Sequence, residues 1–139
     1  MNKFEFKTNI EQALNSVDSG VSTDDLNFIA DMLYDEKNTW YFNDFYDFAR
    51  EVRKEDDDII YALRQYDAIP ELLDYDIQVR DWFAEHKQAI KDVLKYASMD
   101  EKDLHNILFI DIEIMVEWLQ DHKQAYRDCL IYVKNRIKK

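Results

Sequence analysis

Three histidines and one cysteine are the side chains of this 139-residue chain with the widest range of chemistry. Di-iron sites in helical bundles use Glu-x-x-His, a spacing that places both ligands on one helix face. The residues three positions before the histidines are a phenylalanine, a lysine and a leucine, so this kind of metal site is excluded. The histidines are His86, His105 and His122. Cys129 falls on the apolar side of the last predicted helix, and we interpret it as a core residue rather than a nucleophile.

Glycine and proline are almost absent, since the chain has only Gly20 and Pro70. Glycine-rich loops that bind phosphate need at least two glycines within a few residues. Hairpin-rich β-sandwiches and barrels need glycine at their tight turns. The sequence therefore argues against both, and we predict a protein with no catalytic residues, no metal site and no cofactor.

Carboxylates are the remaining candidates for function. A helical wheel of the segment that begins at Trp40 places Asp44, Asp47 and Glu51 on one face, around that tryptophan. An opposite arc of about 120° is apolar. It consists of Tyr41, Phe42, Phe45, Phe48, Ala49 and Val52. The acidic face is either a solvated surface with Trp40 folded back on a neighbour, or a binding surface with Trp40 as its aromatic anchor.

Further acids extend the candidate binding surface. Residues 55–58 are four consecutive acids, and carboxylates at a helix start also cap free amides and complement the helix dipole. A calcium-binding EF-hand is excluded, because no segment has its alternating oxygen ligands and its glycine. The complete set of predicted partner-binding residues is Asp31, Asp35, Trp40, Asp44, Asp47, Glu51, Asp56, Asp57 and Asp58.

The negative charge is unevenly distributed. The formal net charge is −12. Residues 1–76 contain 19 acidic and 7 basic residues, whereas residues 77–139 contain 11 of each. All of the excess negative charge, and every predicted partner-binding residue, therefore lies in the first half.

Apolar residues recur at helical spacing through most of the first half. We predict a helix over 8–18 capped by Thr8, and a second from Ser22 to about 34–36 that buries an apolar stripe. That stripe is Leu26, Ile29, Ala30 and Leu33. A third helix runs from Trp40 to about Lys54, with Asn38 or Thr39 as its cap. Further helices are predicted over 56–66 and, with Pro70 in its first turn, over 69–73.

The second half contains an internal repeat. Residues 82–96 match residues 118–132 at an offset of 36, with eight of fifteen positions identical, including the motif Trp-x-x-x-His-Lys-Gln-Ala. We predict one long helix per copy, a capped turn at 98–101, and stacking of each histidine on the tryptophan one turn before it. Residues 108–116 alternate at strand spacing, but we predict a helix because the corresponding residues 72–80 do not.

Together these patterns predict an all-α fold, a compact bundle of about six to seven helices with a duplicated C-terminal helix unit. We predict a single domain over 1–139, with an acidic half (1–76) and a neutral, repeat-containing half (77–139). One cysteine, no apolar leader and no bilayer-length apolar run predict a cytoplasmic protein.

The acidity disfavours direct binding to nucleic acid or to an anionic membrane. It favours a positively charged partner, and large basic surfaces on proteins mostly hold nucleic-acid backbones. In size, helicity, acidity and lack of catalytic motifs, the chain resembles the small phage-encoded anti-CRISPR and anti-restriction proteins, many of which block nucleic-acid-binding surfaces of bacterial defence complexes. The resemblance implies an acidic, non-enzymatic nucleic-acid mimic that acts in the cytoplasm of a bacterial host. Two alternatives are an immunity or antitoxin protein that neutralises a basic toxin, and a helical module that dimerises through residues 77–139.

Overall fold

The computed structural model describes residues 1–37, 39–55, 58–66, 69–99 and 110–137. Within these residues the chain forms eight α-helices and one short 3₁₀ helix, without any strand. The all-α prediction is confirmed. The chain divides into two compact units, Met1–Ile69 and Pro70–Lys139, and the single domain stays a prediction. In the described part of the chain, no helix has the length and apolar character needed to cross a bilayer.

The first unit contains four helices: α1 Lys3–Ser16, α2 Thr23–Leu33, α3 Phe42–Lys54 and α4 Ile59–Arg64. Helix α1 packs against α2 and α3, and α4 packs against α2 and α3. Each helix contributes apolar side chains to one core. The most deeply buried include Phe6, Ile10, Ile29, Leu33, Phe48, Val52 and Leu63.

Helix α1 begins five residues before its predicted start. Its cap is Asn2, whose side chain accepts a hydrogen bond from the Glu5 N–H at 2.8 Å. Thr8, predicted as the cap, lies inside the helix and donates its hydroxyl to the Phe4 carbonyl at 3.0 Å. The prediction was wrong because Phe6, one turn before Ile10, extends the apolar stripe towards the N-terminus.

The starts of the other three helices test the predicted caps. Ser22 caps α2 as predicted, accepting from the Asp25 N–H at 3.2 Å, and the predicted apolar stripe of α2 is buried. Helix α3 begins at Phe42 with Tyr41 as its cap residue, not at Trp40. Helix α4 is capped by Asp58, whereas its predicted start at 56 and the alternative α3 cap Asn38 lie outside the described residues.

The first helical element of the second unit is the 3₁₀ helix Leu72–Asp74, which overlaps the end of the connector predicted over 69–73 and extends one residue beyond it. The unit continues with α5 Asp76–Ala84, α6 Lys87–Tyr96, α7 Ile112–Asp121 and α8 Lys123–Ile137. Helix α5 packs against α6 and α8, and α7 packs against α6, α8 and the 3₁₀ helix. Residues 112–116 are helical, as predicted over the strand alternative. The second half of the turn predicted over 98–101 and the start of that segment lie in residues 100–109, outside the described residues.

Each predicted long helix of the repeat is interrupted at its histidine. His86 and His122 have nearly the same non-helical backbone, with φ/ψ of −127°/77° and −126°/81°. Each imidazole Nδ1 lies 2.7–2.8 Å from the carbonyl of the tryptophan four residues earlier. In a continuous helix that carbonyl would accept from the backbone N–H of the histidine. The side chain thus replaces a backbone donor, and the chain turns into the next helix.

The predicted stacking is confirmed in both copies of the repeat. The His86 and Trp82 ring centroids lie 4.1 Å apart at 18°, and those of His122 and Trp118 lie 4.2 Å apart at 19°. Both tryptophans are buried, with exposures of 3% and 4%. The motif therefore forms an internal corner of the second unit, with both tryptophan rings buried in it.

Candidate protein-binding surface

Three of the predicted carboxylates act electrostatically on the same phenol. Asp44, Asp47 and Glu51 lie along one flank of α3, and each contributes to raising the pKa of Tyr66. Burial of the Tyr66 ring is the largest cause, while Arg50 acts in the opposite direction. We call these three carboxylates the α3 acidic flank. Their spacing of three and four residues along α3 places the three acids on one helix face, as the wheel predicted, whereas Trp40 lies outside the helix.

Trp40 is not the exposed anchor that the binding interpretation required. It precedes the cap residue of α3, is half-buried, and stacks on Tyr66 with the ring centroids 5.1 Å apart at 19°. It also contacts three phenylalanine rings of the first unit at centroid distances of 5.1–6.0 Å. These are Phe6, Phe45 and Phe48. The indole is folded back onto its neighbours, which was the other interpretation of this residue.

The α3 acids also have local structural partners. Asp47 forms an ion pair with Arg50, and the Asp44 carboxylate accepts from the Tyr41 N–H at 2.7 Å, which fixes the first turn of α3. Exposed ion pairs of this kind contribute at most about 1 kcal/mol. Neither contact removes the charge of the carboxylate, so both remain compatible with an acidic binding surface.

The other predicted acids are dispersed. Asp31 pairs with Lys3 on the face shared by α1 and α2. Asp35 follows α2 and accepts from the Lys37 N–H at 2.9 Å, and Asp58 accepts from the Tyr61 N–H at 3.1 Å as the cap of α4. Asp56 and Asp57 lie outside the described residues.

Two aromatic side chains of the predicted apolar arc are exposed. Tyr41 and Phe42 are 71% and 73% exposed. Phe42 packs on Tyr46, one turn later, with the ring centroids 4.8 Å apart. The wheel misplaced Phe42 because it stands at the edge of the apolar arc, and Tyr41 because it lies outside the helix.

These aromatics belong to a groove over the first unit. One depression, of about 190 Å³, is lined by four aromatic rings, by two carboxamides of α1 and by Met1. The rings are Trp40, Phe42, Phe45 and Tyr46, and the carboxamides are Asn9 and Gln12. A second depression, of about 50 Å³, shares Met1 and Trp40 with the first and is also lined by Asp35 and Glu36. We call the two together the Trp40 groove.

No protein-family model, curated protein or solved structure matches the chain.

Among the described residues of the second unit, the reactive side chains do not form a site, and His105 lies outside the described residues. Cys129 is buried, and this burial raises the pKa of its thiol to about 12, which keeps it protonated and unreactive at neutral pH. Nδ1 of each of His86 and His122 is occupied by a tryptophan carbonyl. Among the residues described, no group of three His, Cys, Asp or Glu side chains is arranged to hold a metal ion.

Proposed function

We propose that this chain is a non-enzymatic inhibitor whose first unit occupies a positively charged nucleic-acid-binding surface of a bacterial defence nuclease complex. In this role it mimics nucleic acid and excludes it. The observation that supports the proposal is the α3 acidic flank, with its three carboxylates grouped on one rigid helix. It lies in a unit with 16 acidic and 7 basic residues.

The spacing of the charges fits this role. Asp44 and Glu51 are seven residues apart, which corresponds to about 10 Å along a helix axis. Over about the same axial length, one strand of duplex DNA presents three phosphates, at about 3.4 Å each. A lysine and arginine array built for a phosphate backbone would therefore meet a comparable density of negative charge.

The proposed complex should form quickly and be sensitive to salt. Complementary charge accelerates the encounter of the two proteins, and salt weakens it. The proposed mechanism is competitive occupancy without turnover. The defence nuclease complex as the target follows from the resemblance to phage anti-defence proteins.

The test is phage plating on bacterial strains that each carry one restriction or CRISPR system. We expect expression of the chain to raise plating efficiency on at least one strain. The double variant Asp47→Lys with Glu51→Lys should lose that effect, and both positions can be changed without removing the Asp44 cap contact.

A matched control comes from the second unit. Asp81 on α5 and Glu85, the C-cap residue of α5, are exposed and have the same spacing of four residues. The double variant Asp81→Lys with Glu85→Lys changes the net charge equally and should retain activity. If both double variants lost the plating effect equally, net charge alone and not the α3 acidic flank would explain the effect. If the wild-type chain raised plating efficiency on no strain, the defence target would be overturned.

A second candidate function is homodimerisation through the second unit. Ile77 is 72% exposed on α5, and the nearby Leu73 of the 3₁₀ helix is also exposed. Sedimentation of the purified chain should then show a dimer, and Ile77→Lys should return it to a monomer. A wild-type monomer at all concentrations tested would contradict this candidate.

A further inference from the structure

The Trp40 groove combines aromatic faces with oxygen acceptors and negative charge. Phe42, the most exposed of its four rings, leaves most of its surface to solvent, although burying a ring of this size is strongly favourable. Asn9 and Gln12 add carbonyl oxygens at one depression, and Asp35 and Glu36 add carboxylates at the other.

Aromatic faces beside carboxylates are a good match for the side chain of arginine. A cation over an aromatic ring is attracted by the ring quadrupole, with about 0.5–1 kcal/mol at exposed sites. The arginine guanidinium is planar, stacks on aromatic rings, is weakly hydrated and has five donors for carboxylate and carbonyl oxygens. Lysine has a compact and strongly hydrated charge, and a neutral apolar side chain has no donor for the carboxylate and carbonyl oxygens of the groove.

We propose that the Trp40 groove binds an arginine side chain of a basic protein partner. The identity of the partner rests on the proposed function, whereas the chemistry of the groove rests on its lining. The side-chain stem lies along Trp40 and Phe42, and the guanidinium lies within reach of the Asp35 and Glu36 carboxylates. The α3 acidic flank supplies the long-range attraction, and the groove supplies a specific anchor.

The experiment titrates three blocked tripeptides into the ¹⁵N-labelled full chain and follows amide and indole NMR signals. The peptides are Gly-Arg-Gly, Gly-Lys-Gly and Gly-citrulline-Gly, of which the citrulline peptide is the neutral isostere of the first. We expect the arginine peptide to shift the Trp40 indole N–H and the Asn9 and Gln12 carboxamide signals in a saturable way. The lysine peptide should bind more weakly, and the citrulline peptide should not bind detectably.

The contribution of the aromatic ring is tested by one variant with a matched control. Phe42→Ala should weaken arginine binding about two- to fivefold, the equivalent of one exposed cation–π contact. Phe4→Ala removes a phenylalanine that is 77% exposed but does not line the groove, and should leave binding unchanged. Because both rings are largely exposed, the amide spectrum of each variant should otherwise match that of the wild type.

The contribution of the carboxylates is tested by the double variant Asp35→Asn with Glu36→Gln. It should weaken arginine binding at least about threefold, because it removes two charge pairs that solvent partly screens. Asp18→Asn with Asp24→Asn removes the same charge at the other end of the α1–α2 pair and should have little effect. Asp18 has a positive φ of 54°, which asparagine tolerates.

Two outcomes overturn the inference. Equal binding of the citrulline peptide would show a neutral occupant, and arginine shifts that bypass Trp40, Asn9 and Gln12 would show another site. Failure of the inference is distinguishable from failure of the proposed function. If the chain raises plating efficiency but does not bind the arginine peptide, only the inference about the groove is overturned. If it binds the arginine peptide but raises plating efficiency on no strain, only the defence target is overturned.

Discussion

The two units use tryptophan in different ways. The second unit buries Trp82 and Trp118 almost completely and stacks a histidine on each, so that both rings stabilise helix corners. The first unit leaves Trp40 half-buried in a ring cluster that floors a groove. The half-buried ring of Trp40 belongs to the groove for which we propose a partner, whereas the two buried rings form structural joints.

The two units also differ in their excess of acidic over basic residues. Both use a carboxylate as a helix cap, Asp58 for α4 and Asp111 for α7. Capping therefore explains acids in either unit, but the first unit has 16 acidic and 7 basic residues, against 14 and 11 in the second. Capping by these two residues does not account for the additional imbalance of the first unit, which fits the positively charged partner that we propose.

The largest expected effect tests the structural role of the repeat tryptophans. Trp118→Ala should lower the free energy of unfolding by about 3–5 kcal/mol, because it leaves a cavity in a close-packed core. Trp40→Ala should cost less, since part of that ring already faces solvent. Urea denaturation followed by circular dichroism measures both.

If Trp118→Ala does not fold, Trp118→Phe provides a milder version of the same test. It retains an aromatic ring but shortens the stack on His122. A loss for Trp40→Ala that equals or exceeds the loss for Trp118→Ala would contradict the distinction between groove and joint.

Helix content was predictable from the sequence because apolar spacing of three and four residues is repeated along the chain. The caps were less predictable, since Ser22 was identified but Asn2 was missed in favour of Thr8. The helix corners could not be derived from spacing, because apolar spacing and the repeat both fit one continuous helix over residues 82–96. What breaks the helix is the hydrogen bond from the His86 ring to a backbone carbonyl.

The candidate site was predictable in one part. The shared face of Asp44, Asp47 and Glu51 followed from helical geometry. The Trp40 groove did not, because its lining joins α1, the chain after α2 and the start of α3. The exposure of Phe42 depends on how α1 and α3 pack, which one helix's wheel cannot show.

The next effect concerns Cys129, which occupies the position of Val93 in the repeat. Cys129→Val is a nearly volume-conserving change, so the loss of stability at neutral pH should stay below about 1.5 kcal/mol. The native wild-type thiol should also resist a thiol reagent until urea unfolds the chain, since burial raises its pKa to about 12. Rapid labelling of the native protein would contradict the buried, structural role.

Helix capping should contribute equally in the two units. Asp58→Ala and Asp111→Ala should each cost about 1 kcal/mol, because each removes an acceptor for a free helix N–H. Asp58→Asn and Asp111→Asn should restore most of that stability, since asparagine caps as well as aspartate. If the asparagine variants were as unstable as the alanine variants, charge rather than capping would be the stabilising factor.

The smallest effect appears only at alkaline pH and reports on the α3 acidic flank. Burial and the charges of Asp47, Glu51 and Asp44 raise the pKa of Tyr66 above its ordinary value. The contribution of the neutral phenol to the free energy of unfolding is therefore fully present below about pH 10, the pKa of tyrosine in the unfolded chain. At higher pH the unfolded chain loses this proton while the folded chain keeps it, so the free energy of unfolding must fall.

Tyr66→Phe should make that fall shallower, and a Cys129→Val background removes the similar contribution of the thiol. Asp47→Asn with Glu51→Gln, in the same background, should also reduce the fall, because less negative charge then opposes ionisation of Tyr66. Identical pH profiles for the parent and the carboxamide variant would contradict the grouping of these carboxylates around Tyr66. Since the proposed competition with nucleic acid depends on the same carboxylates, this profile tests their arrangement on the isolated protein, before any partner is known.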